Sequence, residues 1–144
     1  MFNYLNGKTI SFNGTILGFK ELDIFELEII DANGPFAYLK SIEEESIGFV
    51  VANPFTFFKE YSFELDEKDK TWLQINNHEE VLVLGIITLK DPFENSTMNL
   101  VAPLVININH LAGSQIVHAP SKGYSTQTPL FPKLNEKGIE GESC

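Results

Sequence analysis

The sequence predicts a mostly-β fold: a single compact antiparallel β-barrel-like domain with one or two short helices. Three observations carry this. Short apolar or alternating runs recur along the chain, each closed by Gly, Pro, Asn or Asp, and that is the punctuation of strands and turns. The clear helix signal is confined to the stretch after Asp66. A length of 144 residues with 43% hydrophobic content, including 12 Phe, suits one domain with a real core, without metal or disulfide staples.

The elements follow in order. Lys8 to Phe12 alternates weakly between glycines and reads as a strand; Thr15-Ile16-Leu17 is a tight apolar connection between Gly14 and Gly18. Ile24 to Ile30 places Phe25, Leu27 and Ile29 on one face and Glu26 and Glu28 on the other, a half-buried strand. Asp31 to Pro35 has turn chemistry, so Phe36 to Ile42 should close a hairpin. Glu43-Glu44-Glu45-Ser46 is an acidic turn. Ile47 to Ala52 reads as a strand buried on both faces, ended by Asn53-Pro54. Phe55 to Phe58 follows as an extended segment and Tyr61 to Leu65 alternates again.

Asp66 is a helix N-cap, with Glu67 and Asp69 in the first turn and Trp72, Leu73 and Ile75 as the apolar side. After the polar break at 76–80, Val81 to Leu89 is the strongest buried strand and Asp91-Pro92 ends it. Met98 to Ile108 is a strand interrupted at Ala102-Pro103, where proline implies an edge, bulge or bend. Ala112-Gly113 turns the chain into a last short strand, Ser114 to His118. The domain therefore spans 1–132, and the polar, aperiodic residues 133–144 read as a disordered tail.

Composition narrows the function. Twenty acidic groups against ten lysines, with no arginine, give a formal charge of -10. Such a surface repels phosphate backbones and attracts basic proteins, so direct nucleic-acid binding is not expected. Cys144 alone cannot make an internal disulfide. The first residues lack a basic stretch followed by an apolar run, and no run is long enough to span a bilayer. The expectation is a soluble, cytoplasmic protein.

No catalytic constellation stands out. His78, His110 and His118 lack companion ligands, although the last two could meet across a hairpin; a zinc site needs about three protein ligands, so none is expected. The sequence has no nucleophile elbow, phosphate loop or dinucleotide glycine motif. Glu64, Asp66, Glu67 and Asp69 read as a solvated face and a cap. The expectation is no enzyme and no cofactor.

Two segments suggest docking instead. In Asn53-Pro54-Phe55-Thr56-Phe57-Phe58-Lys59-Glu60-Tyr61, an extended chain points Phe55 and Phe57 one way and Phe58 the other, so one side needs cover outside the central core. Cores use most aromatics, so a purely structural use of this segment stands ahead of docking. In Asn99 to Asn107, an apolar strand carrying Pro103 reads as an edge, and edges receive partner strands or helices. A purely structural use accounts for it equally.

The same segments carry a resemblance. Phe49-Val50-Val51-Ala52-Asn53-Pro54-Phe55, then Tyr61-Ser62-Phe63-Glu64-Leu65, then Asn99-Leu100-Val101-Ala102-Pro103-Leu104-Val105-Ile106-Asn107, look like runs of the FliW family of flagellar assembly factors. Ile16-Leu17-Gly18-Phe19 upstream, and Gln115-Ile116-Val117, Tyr124 and Pro129-Leu130-Phe131 downstream, fall in the family's order, so the resemblance runs from about Lys8 to Phe131. It implies a compact β-barrel-like domain that binds flagellin and binds CsrA, a small basic RNA-binding translational repressor, keeping it from the flagellin message. In one departure, relatives often carry an arginine before the terminal Pro-Leu-Phe, where this chain has Gln127-Thr128.

On this reading an apolar site takes an amphipathic flagellin helix through Asn53, Pro54, Phe55, Phe58, Tyr61, Leu100, Pro103, Leu104 and Asn107. Glu43, Glu44, Glu45, Glu64 and Glu67 form an acidic contact for CsrA. The alternative is a barrel enclosing a small molecule or lipid, because aromatic-rich barrels can hold ligands.

Overall fold

Strand alternation and turn chemistry produce nine strands and two short helices in the computed structural model, which describes residues 3–31, 33–118 and 123–131. The strands are β1 (Thr9–Ser11), β2 (Ile24–Ile29), β3 (Phe36–Ser41), β4 (Gly48–Ala52), β5 (Val81–Thr88), β6 (Thr97–Met98), β7 (Leu104–Asn107), β8 (Ala112–Gln115) and β9 (Thr128–Pro129). The helices are α1 (Pro54–Phe57) and α2 (Glu67–Trp72).

Seven strands close into a barrel in the order β1-β2-β3-β4-β5-β7-β8, with β8 returning to β1. The β2–β3 hairpin forms as expected, with Leu27 opposite Leu39. Among the described residues every pairing is antiparallel except the seam, where β1 meets β8 in parallel at Ser11 and Ala112. β5 does double duty: Val81 to Leu84 pair with β7 and Gly85 to Ile87 pair with β4. Its C-terminal end also holds β6, which in turn carries β9.

Inward-facing side chains fill the barrel. Ile10, Phe12, Phe25, Leu27, Leu39, Val51, Leu84, Leu104 and Ile106 are buried in one cluster, and the Phe12 and Phe25 rings meet edge-on at 5.7 Å. A small barrel has just enough interior for its own side chains, and here they occupy the space that an enclosed lipid or small molecule would need.

A second layer covers the outside. Ala52, Tyr61, Ile87, Met98, Leu100 and Leu130 form one outer cluster, and Leu73, Ile75 and Val105 another. β7 is thus covered on both faces and β5 over most of its length, which explains their continuous apolar sequence. Gly85 lies where Met98 crosses the strand: a Cβ there would collide with Met98 Sδ and Cγ.

Several expectations need correction. Phe55 to Phe58 is not extended, because Asn53 Oδ1 accepts the Phe55 N–H at 2.8 Å and Pro54 opens the single turn of α1. Tyr61 to Leu65 pairs with no strand among the described residues but keeps its alternation as it runs over the outer face: Tyr61 is buried, Phe63 and Leu65 are half-buried, Ser62 and Glu64 exposed. β4 is buried at Val51 and Ala52 and only half-buried before them. Met98 to Ile108 is two strands, since Asn99 Oδ1 accepts the Val101 and Ala102 N–H groups and the chain bends there. The last hairpin strand begins at Ala112, where a turn was expected. Trp72 is half-exposed, so α2 buries its junction with Leu73 and Ile75 but not its indole. Asp66 caps as expected, its Oδ1 accepting the Asp69 N–H at 2.8 Å. Residues 133–144 lie outside the described residues.

Candidate partner-binding surface

The outer face of β5 alternates Val81 and Val83 outward, and the covering segment does not fully close over them. An open groove of about 480 Å³ remains. Its floor and walls are Phe55, Phe63, Leu65, Ile75, Val81 and Val83; Lys70, Asn76, Asn77 and His78 form the polar rim. Phe55 comes from α1 and is 41% exposed, so an aromatic edge is available to a partner.

Two polar networks hold the groove in shape. Asn107, at the end of β7, is fully buried; its Nδ2 donates to Leu73 O at 2.8 Å and Gln74 O at 3.2 Å. Its Oδ1 accepts the Asn109 and His110 N–H groups at 2.9 and 3.2 Å. One amide therefore caps the carbonyl end of α2 and starts the following turn. Glu80 Oε1 accepts the Asn76 N–H at 2.8 Å, and its Oε2 accepts from Asn109 Nδ2 at 3.3 Å. Hydrogen bonds from the Asn76 backbone, ahead of those from Asn77 and Asn109, hold the Glu80 carboxyl below its ordinary range.

An aromatic wall backs the other side. Tyr61 Oη is 3.0 Å from Leu100 O and 2.8 Å from His118 Nε2. The His118 ring meets Phe63 edge-on at 5.0 Å, and Phe55 lies 5.5 Å from Tyr61. Burial, then the neighbouring Tyr124 phenol, pushes the Tyr61 phenol well above its ordinary range.

The expected site residues therefore separate. Phe55 is exposed and Asn53 and Phe58 are half-buried; Pro54 is buried at the start of α1. Tyr61, Leu100, Pro103, Leu104 and Asn107 are buried and offer no direct contact surface. Leu104 faces the barrel interior, and Tyr61 and Asn107 brace the groove. Sequence reasoning missed Phe63, Leu65, Val81, Val83 and the rim at 70–78; the outward valines of β5 were the available signal. The acids also divide. Glu43 Oε1 accepts the Asp23 and Ile24 N–H groups at 2.8 and 3.1 Å, so its carboxylate serves the start of β2. Glu44 Oε2 accepts from Ser46 Oγ, Glu67 pairs loosely with Lys70 at 3.4 Å, and Glu45 and Glu64 are exposed. His110 and His118 lie at opposite ends of the β7–β8 hairpin and do not meet. Among the described residues no group of three or more His, Cys, Asp or Glu could hold a metal ion, and no helix is long and apolar enough to cross a membrane.

Fold and surface together define a small filled β-barrel with an open apolar groove on its outside. The chain belongs to the FliW family: the family model described as "FliW protein" matches residues 2–130. The flagellar assembly factor FliW of Bacillus subtilis (strain 168) is 37% identical over 142 residues, covering 99% of this chain and 92% of that protein. The flagellar assembly factor FliW of Clostridium novyi (strain NT) is 42% identical over 128 residues, covering 89% of each. A solved structure described as "Crystal structure of the flagellar assembly factor FliW" aligns with TM-score 0.80 and 35% identity, covering 87% of this chain and 86% of that one.

Proposed function

We propose that this chain is a cytoplasmic flagellar assembly factor that acts by binding and has no catalytic role. It captures flagellin in the outer groove and CsrA on its acidic surface, and so relieves CsrA repression of flagellin mRNA. The observation that carries this reading is the groove itself: an exposed Phe55 beside Phe63, Leu65, Val81 and Val83, on the outside of a filled barrel. A groove of this kind receives the apolar stripe of an amphipathic helix. Membership of the FliW family and the formal charge of -10 support the two partners.

Phe55 is the direct apolar contact in this reading; Phe58 packs on the outer cluster away from the groove lining, and Tyr61, Leu100 and Asn107 act by holding the groove's shape. Glu44, Glu45, Glu64 and Glu67 present charge to CsrA, with Glu43 committed to the backbone of β2. The test is calorimetric titration of the purified chain with flagellin and, separately, with CsrA. Binding of both is expected, with flagellin lost in Phe55→Asp. A parent chain that binds neither would overturn the proposal.

A further inference from the structure

The groove has a charge character opposite to that of the whole chain. Acidic groups outnumber lysines two to one, yet among the described residues no carboxylate lines the groove; its charged member is Lys70, beside the neutral donors of Asn76 and Asn77 and the ring of His78. Three of the nearby negative groups are engaged, while Glu64 is exposed and alternates with the lining residues Phe63 and Leu65. Asn107 Nδ2 caps the carbonyls of Leu73 and Gln74 at the end of α2, which occupies acceptors that a helix end otherwise leaves unpaired. Glu80 is turned into backbone and Asn109 hydrogen bonds. Glu67 holds Lys70 at 3.4 Å, but their side chains are 91% and 44% exposed, and an exposed pair of this kind is weak and easily exchanged.

We infer that the groove selects an apolar side chain with a carboxylate beside it, presented by a helix whose apolar stripe is flanked by Asp or Glu, and that Lys70 reads that carboxylate. The inference rests on the groove being the docking site proposed above and adds which charge its occupant carries. Lys70 leaves Glu67 for the incoming carboxylate while the anchor packs on Val81, Val83 and Phe55. A basic segment brings no carboxylate for Lys70 and meets its like charge here. The two partners proposed above are thereby sorted: a basic protein is left to the acidic surface, and the groove stays open to the other.

The test uses the full chain at low salt and two fragments that differ only in charge, 3-phenylpropionate and 3-phenylpropylamine. Amide shifts of Phe55, Lys70, Asn76 and Asn77 report binding. The acid is expected to titrate these shifts at concentrations at least about fivefold lower than the amine, the size of one exposed ion pair. Lys70→Glu, with the rest of the spectrum unchanged, is expected to reverse the order. Equal binding of both fragments, preference for the amine, an order indifferent to Lys70→Glu, or no shift in the groove overturns the inference. Flagellin titration separates the two claims: flagellin binding that depends on Phe55 without any fragment charge preference keeps the docking site and rejects its selectivity.

Discussion

Tyr61 Oη lies 2.8 Å from His118 Nε2 and 3.0 Å from the Leu100 carbonyl, so a single phenol ties together three segments of the outer layer. Removing only the hydroxyl keeps the ring and leaves buried polar atoms without that partner. Tyr61→Phe should lower stability by about 1–3 kcal/mol, read as a lower urea midpoint at unchanged slope. An unchanged midpoint would show that the hydroxyl carries no load.

The same phenol sets an alkaline limit. Its folded value is raised above the ordinary 10.0, so the unfolded chain loses this proton first as pH rises. The contribution is fully present below about pH 10 and drains away above it, because the folded state then binds more protons than the unfolded. Denaturation midpoints of the parent should therefore fall from about pH 10 upward, and Tyr61→Phe should make that decline shallower. Parallel declines in the two proteins would rule this out.

Leu104 and Phe55 should respond oppositely to a charge. Leu104 is fully buried in the barrel, so Leu104→Asp should not fold, and Leu104→Ala should cost about 2–5 kcal/mol. Phe55→Asp should change stability by about 1 kcal/mol or less and weaken flagellin binding by at least about tenfold. Thermal melts combined with calorimetry separate the two cases.

Asn107 is a bracket, so its loss should be felt in the groove. Asn107→Ala strips partners from the Leu73 and Gln74 carbonyls and the Asn109 and His110 N–H groups. A loss of about 3 kcal/mol is expected, with amide exchange at 73–76 accelerating more than in β2 or β3. Uniform acceleration across the barrel would mean the bracket is not local.

Gly85 and Met98 should be coupled. Gly85→Ala drives a methyl into the thioether and should cost about 1–3 kcal/mol. Pairing it with Met98→Ala should recover part of that loss, giving a non-additive double-mutant cycle. Strict additivity would indicate that the sheet moves instead.

CsrA binding should weaken at least about tenfold between low salt and 0.5 M, as expected for association dominated by exposed charge. An affinity insensitive to salt would remove the acidic surface from the account.

Much of the barrel was legible because strand periodicity and turn residues are local signals. Phe25 and Leu27 against Glu26 and Glu28, the turn at 31–35 and the cap at Asp66 each depend on neighbours in sequence. The candidate site was less legible because burial is a tertiary fact. Leu104 and Asn107 read as an exposed edge, since a proline-bearing apolar strand looks alike whether its outer face meets water or a covering segment. That cover, Phe63 to Ile75, is legible as an alternating segment and a capped helix, but no local signal says which strands they lie over. Val81 and Val83 read as buried strand residues, and Val83 is buried; β-branched residues under partial cover also floor a groove.

The parallel seam between Ser11 and Ala112 has a consequence for biosynthesis. During translation β1 can find β2 almost at once, but its other neighbour does not exist until position 112 has left the ribosome. Until then the nascent chain is an unclosed ribbon whose first strand shows bare amides to the cytosol, and Phe12 lacks Gly113, the residue it packs against so closely that a Cβ there would touch its ring. Closure is therefore a late event that joins the opening of the chain to a strand near its end. A newborn molecule stalled before that join would be the form most exposed to wrong pairing.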